Sequence, residues 1–293
     1  MTWRRFTFPH ASACLAKHSL NYRSPRFQFV KFFDRTSLVP VVGTARRLKV
    51  DAVELKSLAC GYGADFVGIV DLASLRGIRT EPADLLSGYK RAISIGIRLS
   101  DGVIDPIVDS PTPLYQQHYL RVNDRLDDIA IRVSQYLQKS GTKALPIPAS
   151  QLLDMKNWTS YISHKAVAIA AGIGWQGKSL LVVNPECGPR LRLVTVLTDA
   201  DLEPDKPIKN RCGKCLACAE ACPATAIKGE NTDSHFKDRD EALYFQRCVD
   251  KVVGDFAKRP FIEKPICGVC IRACPWGVKK RKSKPRIGTG KGK

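Results

Sequence analysis

The chain has 293 residues, 44% hydrophobic and 26% charged, with 47 Lys and Arg against 28 Asp and Glu. That length and balance suit a globular protein with one large domain and a smaller one, with enough apolar surface to fold without disulfide staples. No run approaches the ~18 apolar residues of a membrane helix, so no membrane association is expected.

The net charge of +19 is uneven: residues 1–50 hold ten Lys/Arg and one acid, and residues 279–293 hold eight Lys/Arg and no acid. The first stretch is Arg- and Ser-rich and acid-poor. A mitochondrial transit peptide, an over-extended reading frame and a plain basic arm all share that composition. The final run, from Lys279 to Arg286, suits a solvated disordered tail or contact with RNA phosphates. Residues 1–47 are therefore expected to be a basic, disordered N-terminal extension, and 279–293 a basic disordered tail.

The folded body, expected over residues 48–203, begins with an amphipathic helix from Val50 to Ala59 with Val50, Val53, Leu55 and Leu58 near one side. Phe66–Val70 and Ala92–Ile97 predict buried strands, and a proline-marked loop follows from Asp105 to Pro113. Leu114 to Lys139 predicts a long helix with Leu120, Leu126, Ile129, Ile131, Val133 and Leu137 inward, ended by Gly141. A strand at Thr142–Ile147, an Ala-rich helix from Ile162 to Ala171, and strands at Leu180–Val183 and Leu191–Leu197 complete the body. After Asp199 the chain turns Pro- and charge-rich and leads into a Cys-rich module over 204–278. The expected fold class is α+β: a mixed α/β body carrying a C-terminal ferredoxin-like domain with two 4Fe-4S clusters.

The module carries the chemistry. Cys212, Cys215, Cys218 and Cys222-Pro223 form C-x2-C-x2-C-x3-C-P. Three thiolates at that spacing wrap one iron–sulfur cube, and the fourth ligates a different one. The run thus predicts a second set, met by Cys248, Cys267, Cys270 and Cys274-Pro275. One cluster would use Cys212, Cys215, Cys218 and Cys274; the other Cys222, Cys248, Cys267 and Cys270. Zinc sites also use C-x2-C pairs, but without a third Cys two residues on or a trailing proline. Cys14, Cys60 and Cys187 are expected to be ordinary thiols. Iron-binding thiolates point to a reducing compartment, here the cytoplasm, with organellar targeting left open.

Gly172, Gly174, Gly177, Lys178 and Ser179 match both G-x-G-x-x-G and the P-loop pattern. A P-loop has a strand before it and a helix after. Here a helical segment leads in and Leu180–Val183 leads out to Asn184-Pro185, so nucleotide hydrolysis is rejected. Two readings of the glycines stay open, a tight turn alone or close backbone approach to a cofactor, with Lys178 facing an acidic group.

With these residues, the chain resembles the epoxyqueuosine reductase family, relatives of the reductive dehalogenases. The match runs through Ala171–Ser179 including Trp175, then Asn184–Arg190, Val196–Asp199 and both cysteine runs to Trp276, over roughly residues 50–278. The resemblance implies an oxidoreductase holding cobalamin in the body, fed by two 4Fe-4S clusters and a low-potential ferredoxin or flavodoxin. It places the 172–179 loop at the cofactor. Trp158 stands where tRNA-acting members carry an acid, and His164-Lys165 where they carry Glu-Arg. Tyr161 and His164, with Asp154, are the replacement proton donors to consider. Two other readings remain: an electron carrier without its own substrate, and a redox protein that binds nucleic acid through its basic ends.

Overall fold

The computed structural model describes residues 48–278. The basic extension, the basic tail and Cys14 lie outside the described residues, and so do the targeting and RNA-contact readings attached to the two ends.

The body is built on one antiparallel sheet of β1 (Phe66–Asp71), β2 (Arg91–Arg98), β3 (Ala144–Ile147) and β6 (Leu191–Thr198), in the order β1-β2-β6-β3. Its helices are α1 (Ala52–Gly61), α2 (Asp101–Ile104), α3 (Pro113–Lys139) and α4 (His164–Ala170). A small hairpin of β4 (Trp175–Gln176) and β5 (Val182–Val183) follows α4. Register explains the two faces. Ile93 pairs with Val196 and Ile95 with Val194, and all four point toward α1 and α3. Ala92 pairs with Leu197, and these face α4. The all-antiparallel sheet makes the body α+β.

The long helix α3 starts at Pro113, where a missing N–H costs nothing, and the Thr112 hydroxyl accepts from the Tyr115 N–H. Leu126, Ile129, Val133 and Leu137 are fully buried, worth about 1.5–3 kcal/mol each. Leu120 and Ile131 depart from expectation: the first is half-exposed and the second 50% exposed. Gln116, Asn123 and Ser134 take buried places instead because each finds a partner. The Gln116 Oε1 accepts from the Glu263 and Lys264 N–H groups, Asn123 from Arg192, and Ser134 donates to the Ala130 carbonyl. In α1 the expected phase is also off. Val50 precedes the Asp51 cap and is buried outside the helix, which leaves Val53 75% exposed.

The Cys-rich module adds four short helices, α5 (Ala217–Glu220), α6 (Arg239–Ala242), α7 (Phe245–Val249) and α8 (Val269–Ala273), and α7 runs on through a π-helical turn at Asp250–Asp255. It shares the body's core: Ile266, Val269 and Ile271 pack in one cluster with Tyr115, Leu126 and Val194. Ahead of it, residues 200–206 strap the body's edge. The Ile69 N–H donates to the Asp205 carboxylate, Lys56 pairs with it at 2.6 Å, and Arg91 Nε donates to the Leu202 carbonyl. Among the described residues no helix is long and apolar enough to cross a membrane.

Candidate iron–sulfur centre and its neighbouring polar site

Four thiols from separated stretches meet around one recess: Cys212, Cys215, Cys218 and Cys274. Cys212 and Cys215 lie in the turn before α5, Cys218 within α5, and Cys274 just after α8. Asn210 pins the approach, donating to the Gln176 and Thr232 carbonyls while its Oδ1 accepts the Cys212 N–H. The other four thiols also gather. Burial first, then the neighbouring Cys222, raises Cys248. Burial pushes Cys267 up to about 11, with Cys248 and Cys222 adding to it, and Cys270 is raised by burial and by the charges of Cys267 and Cys248.

This chemistry suits a cationic core. Burial, with repulsion from Cys212, Cys218 and Cys215, pushes Cys274 up to about 12. Four thiolates persist in such a recess only when positive iron lies between them. Among the described residues no three His, Cys, Asp or Glu side chains converge as ligands of a single metal ion. A four-iron cube is wider and is held at its corners. Cys187, pushed up to about 12 by burial, lies within reach of the Arg98 and Asp101 charges, and Cys60 is exposed on α1.

The glycine loop closes one side of the first recess. Gly172 adopts φ +72°, and a Cβ there would lie 2.4 Å from the Lys206 carbonyl oxygen. A Cβ on Gly174 would lie 2.5 Å from the Val183 carbonyl oxygen. Both glycines therefore serve close backbone approach. The indole of Trp175, 1% exposed, donates from Nε1 to the Cys212 Sγ at 3.3 Å and packs edge-on against Trp276 at 4.9 Å. Gly177, Lys178 and Ser179 line the recess, and Lys178 is only 6% exposed. The loop read from sequence as a cofactor contact thus lies against the first set of thiols. It leads into the β4–β5 hairpin, not into the helix a P-loop needs.

A polar site lies where β3 stops at Ile147 and leaves the 191–194 edge of β6 without a strand neighbour on that side. The Tyr119 hydroxyl, on α3, is 2.7 Å from the Ser150 Oγ, and Arg192 of β6 donates to the Tyr119 Oη and to Asn123. Arg192 also lies 4.4 Å from the Tyr119 ring centroid. Burial alone would raise Tyr119. The Arg192 charge and hydrogen bonds from Ser150 and Asn123 outweigh it and hold the phenol below its ordinary value.

His164, at the start of α4, is bonded at both nitrogens, Nδ1 to the Thr195 hydroxyl at 2.8 Å and Nε2 to the Pro148 carbonyl at 3.0 Å. A carbonyl only accepts, so Nε2 carries the proton and Nδ1 accepts from Thr195. Burial pushes this imidazole down to about 4. Lys165 is lowered to about 8 by burial, with Arg192 adding to it and Cys270 and Cys248 opposing. Lys165 thus feels the charges of both Arg192 and the thiols Cys270 and Cys248.

The other sequence candidates are placed elsewhere. Tyr161 packs in the apolar cluster of Ile162, Val167 and Leu197. Asp154 caps its own turn, accepting from Lys156 and Asn157, and those bonds hold its carboxyl below the usual range. Trp158 has φ 52° and lines a second cleft with Met155, Lys156, Gln246, Val249 and Asp250, beside the helix that carries Cys248. Tyr119 and Arg192 were missed in the sequence. The available signal was Tyr115, Tyr119 and Asn123 at four-residue spacing on a helix, which stacks them along one side.

Comparison with known proteins agrees with this geometry. Residues 211–277 match the 4Fe-4S double cluster binding domain family. The chain is 35% identical over 166 residues to the epoxyqueuosine reductase of Bacillus cereus, covering 53% of this chain and 41% of that protein. It is 26% identical over 238 residues to that of Vibrio cholerae, covering 75% and 59%. Among solved structures, a reductive dehalogenase described for B12-dependent dehalogenation superposes with TM-score 0.59 at 21% identity, over 78% of this chain and 32% of that one. An epoxyqueuosine reductase in complex with a tRNA-Tyr epoxyqueuosine-modified stem loop superposes with TM-score 0.52 at 20% identity, over 77% and 64%. The structural likenesses establish the fold. The chain is an iron–sulfur protein similar to epoxyqueuosine reductases and reductive dehalogenases, and it spans between two-fifths and three-fifths of these two curated relatives.

Proposed function

We propose that the chain is an oxidoreductase of the epoxyqueuosine reductase-like type, in which two 4Fe-4S clusters relay single electrons to a corrinoid for reductive chemistry. Cys212, Cys215, Cys218 and Cys274 would hold one cluster, and Cys222, Cys248, Cys267 and Cys270 the other. The gathering of thiols from both cysteine runs around one recess, closed by the Trp175 loop, carries this reading.

A corrinoid supplies a strongly reducing, nucleophilic metal that can cleave a bond to oxygen or halogen. Its ligation by histidine is not part of the proposal. Both His164 nitrogens are engaged, and the His118 Nε2 accepts the Ser100 N–H. The residues that would hold it are those of the cleft at Met155, Trp158 and Val249, beside the helix that carries Cys248. This chain's own contribution there is to orient substrate with the Arg192 guanidinium and to deliver a proton from the Tyr119 hydroxyl. His164 stays neutral and holds the Pro148 backbone.

The substrate class is an acceptor cleaved reductively, with epoxyqueuosine in tRNA as the first to test. RNA contact through the basic ends, a low-potential ferredoxin or flavodoxin as donor, and a cytoplasmic location belong to the same proposal. A second reading has one observation in its favour. Trp158 stands where the resemblance places an acid, as expected for a carrier that relays electrons and has no substrate.

Anaerobic iron, sulfide and cobalt analysis separates the readings. About eight irons with one cobalt per chain supports the reductase. The same iron with no corrinoid spectrum after reconstitution with cobalamin supports the carrier. A preparation that takes up no iron overturns both.

A further inference from the structure

The eight thiols are not equally sheltered. Cys215 is exposed, whereas the other seven are half-buried. Cys215 sits on an outward turn whose segment from Lys206 through Leu216 holds Lys206, Lys209, Arg211 and Lys214, all exposed, and no acid. Leu216, next to Cys215, is 44% exposed and gives that turn an apolar centre. The turn is rigid on its inner side, held by Asn210 and by the Asn231 Nδ2 donating to the Gly213 carbonyl. Downstream loops bring Glu220, Glu230 and Asp233, but Lys228 and Lys237 as well, so residues 206–237 hold six cations against three acids.

We propose that the cationic turn around Cys215 is the docking face for a small acidic one-electron carrier protein, and that electrons enter the protein there. This rests on the two-cluster reading above. One electron leaves the carrier, which is oxidised, and is gained at the Cys215 side. No atom or proton is exchanged. A negatively charged carrier is steered by the four cations and seats on Leu216, which places its donor group against the exposed thiolate. RNA would also be drawn by such charge. The exposed cluster thiolate at the middle of the patch serves electron transfer and does nothing for phosphate recognition.

The test uses the full chain, loaded with iron, and a reduced plant-type 2Fe-2S ferredoxin in anaerobic stopped flow. Lys206→Glu/Lys209→Glu/Lys214→Glu is expected to slow the second-order reduction about tenfold or more at low ionic strength. The unmodified protein should slow as salt rises, and the variant should not. Iron content and the spin count after deazaflavin photoreduction should match the unmodified protein. If the triple variant fails to load iron, Lys209→Gln/Lys214→Gln with the same salt series gives the readout. Equal rate constants, or an unmodified rate indifferent to salt, overturns the proposal. Loss of tRNA binding with an unchanged ferredoxin rate overturns it too and makes the patch an RNA face. An unmodified chain that binds no iron sinks the cluster reading itself, which is a distinguishable failure.

Discussion

Trp175→Phe tests the thiol recess most directly. The Trp175 N–H is the side-chain donor seen at Cys212 Sγ, at 3.3 Å, and the indole is 1% exposed. Hydrogen bonds to charged groups are worth about 1.5–3 kcal/mol. The bond strengthens when the cluster gains an electron, because the added charge is shared among its sulfurs. If about a third of its worth is that difference, the reduced state loses ~0.5–1 kcal/mol in the variant. For one electron that lowers the midpoint potential by about 20–40 mV. The missing ring also leaves a void, costing about 1–2 kcal/mol of stability. Water admitted to that void would raise the potential, so the sign separates the two effects. The assay is an EPR-monitored redox titration of both clusters. One midpoint should fall and the other stay put. A rise would refute the hydrogen bond as the dominant effect, and a shift under about 10 mV or an equal shift of both clusters would refute the assignment of this indole to one cluster.

Three other perturbations address the rest of the molecule. Gly172→Ala meets both a left-handed φ of +72° and the Lys206 carbonyl at 2.4 Å. It should cost about 2–4 kcal/mol, read as a lower melting temperature, whereas Gly77→Ala, at φ +85° with nothing within 4 Å, should cost only about 1–2 kcal/mol. His164, held near 4 by burial, stays neutral when folded but takes a proton when unfolded below its ordinary 6.5. The unfolded state then binds more protons, so stability is lost as pH falls from 6.5 toward 4. Between pH 7 and 5 the loss is about 2 kcal/mol, and urea unfolding of His164→Gln should lack it. Tyr119→Phe removes the hydroxyl between Ser150 and Arg192. On an epoxyqueuosine stem loop, kcat should drop about 100-fold or more with cluster potentials unchanged, and an unaltered kcat would dismiss Tyr119 as the donor.

Local and periodic features were legible in the sequence. Cysteine spacing predicts that Cys274 joins Cys212, Cys215 and Cys218, and those four line one recess. The 3.6 period found α3 almost to the residue. What periodicity missed is where polarity is repaid by bonding. Gln116 and Asn123 are buried because segments 147 and 69 residues away supply partners, which no local pattern carries. The polar edge was half legible for the same reason. His164 was named, but Tyr119 and Arg192 come from two elements whose meeting depends on β3 stopping short of β6. Tyr161 is named as a phenol able to donate a proton, and its half-buried side chain packs against the apolar cluster of Ile162, Val167 and Leu197.

The glycine loop shows why two nucleotide-binding patterns fitted a segment with no such fold. Both patterns encode close approach of backbone, the second adds a cation at its end, and neither encodes what is approached. Here Gly172 admits the Lys206 carbonyl and Gly174 the Val183 carbonyl, so the chain packs against itself. Trp175 pairs with Val183 and Gln176 with Val182, and the Gly177 N–H donates to the Leu181 carbonyl, so this stretch folds as a hairpin. What still faces the recess is the Lys178 and Ser179 end, beside the thiols of Cys212, Cys215, Cys218 and Cys274. A buried ammonium there needs negative charge nearby, and four thiolates around an iron core provide it. The cation that suggested a phosphate is thus better matched to sulfur, and the same argument ties the loop's sequence to the cysteine runs that follow it.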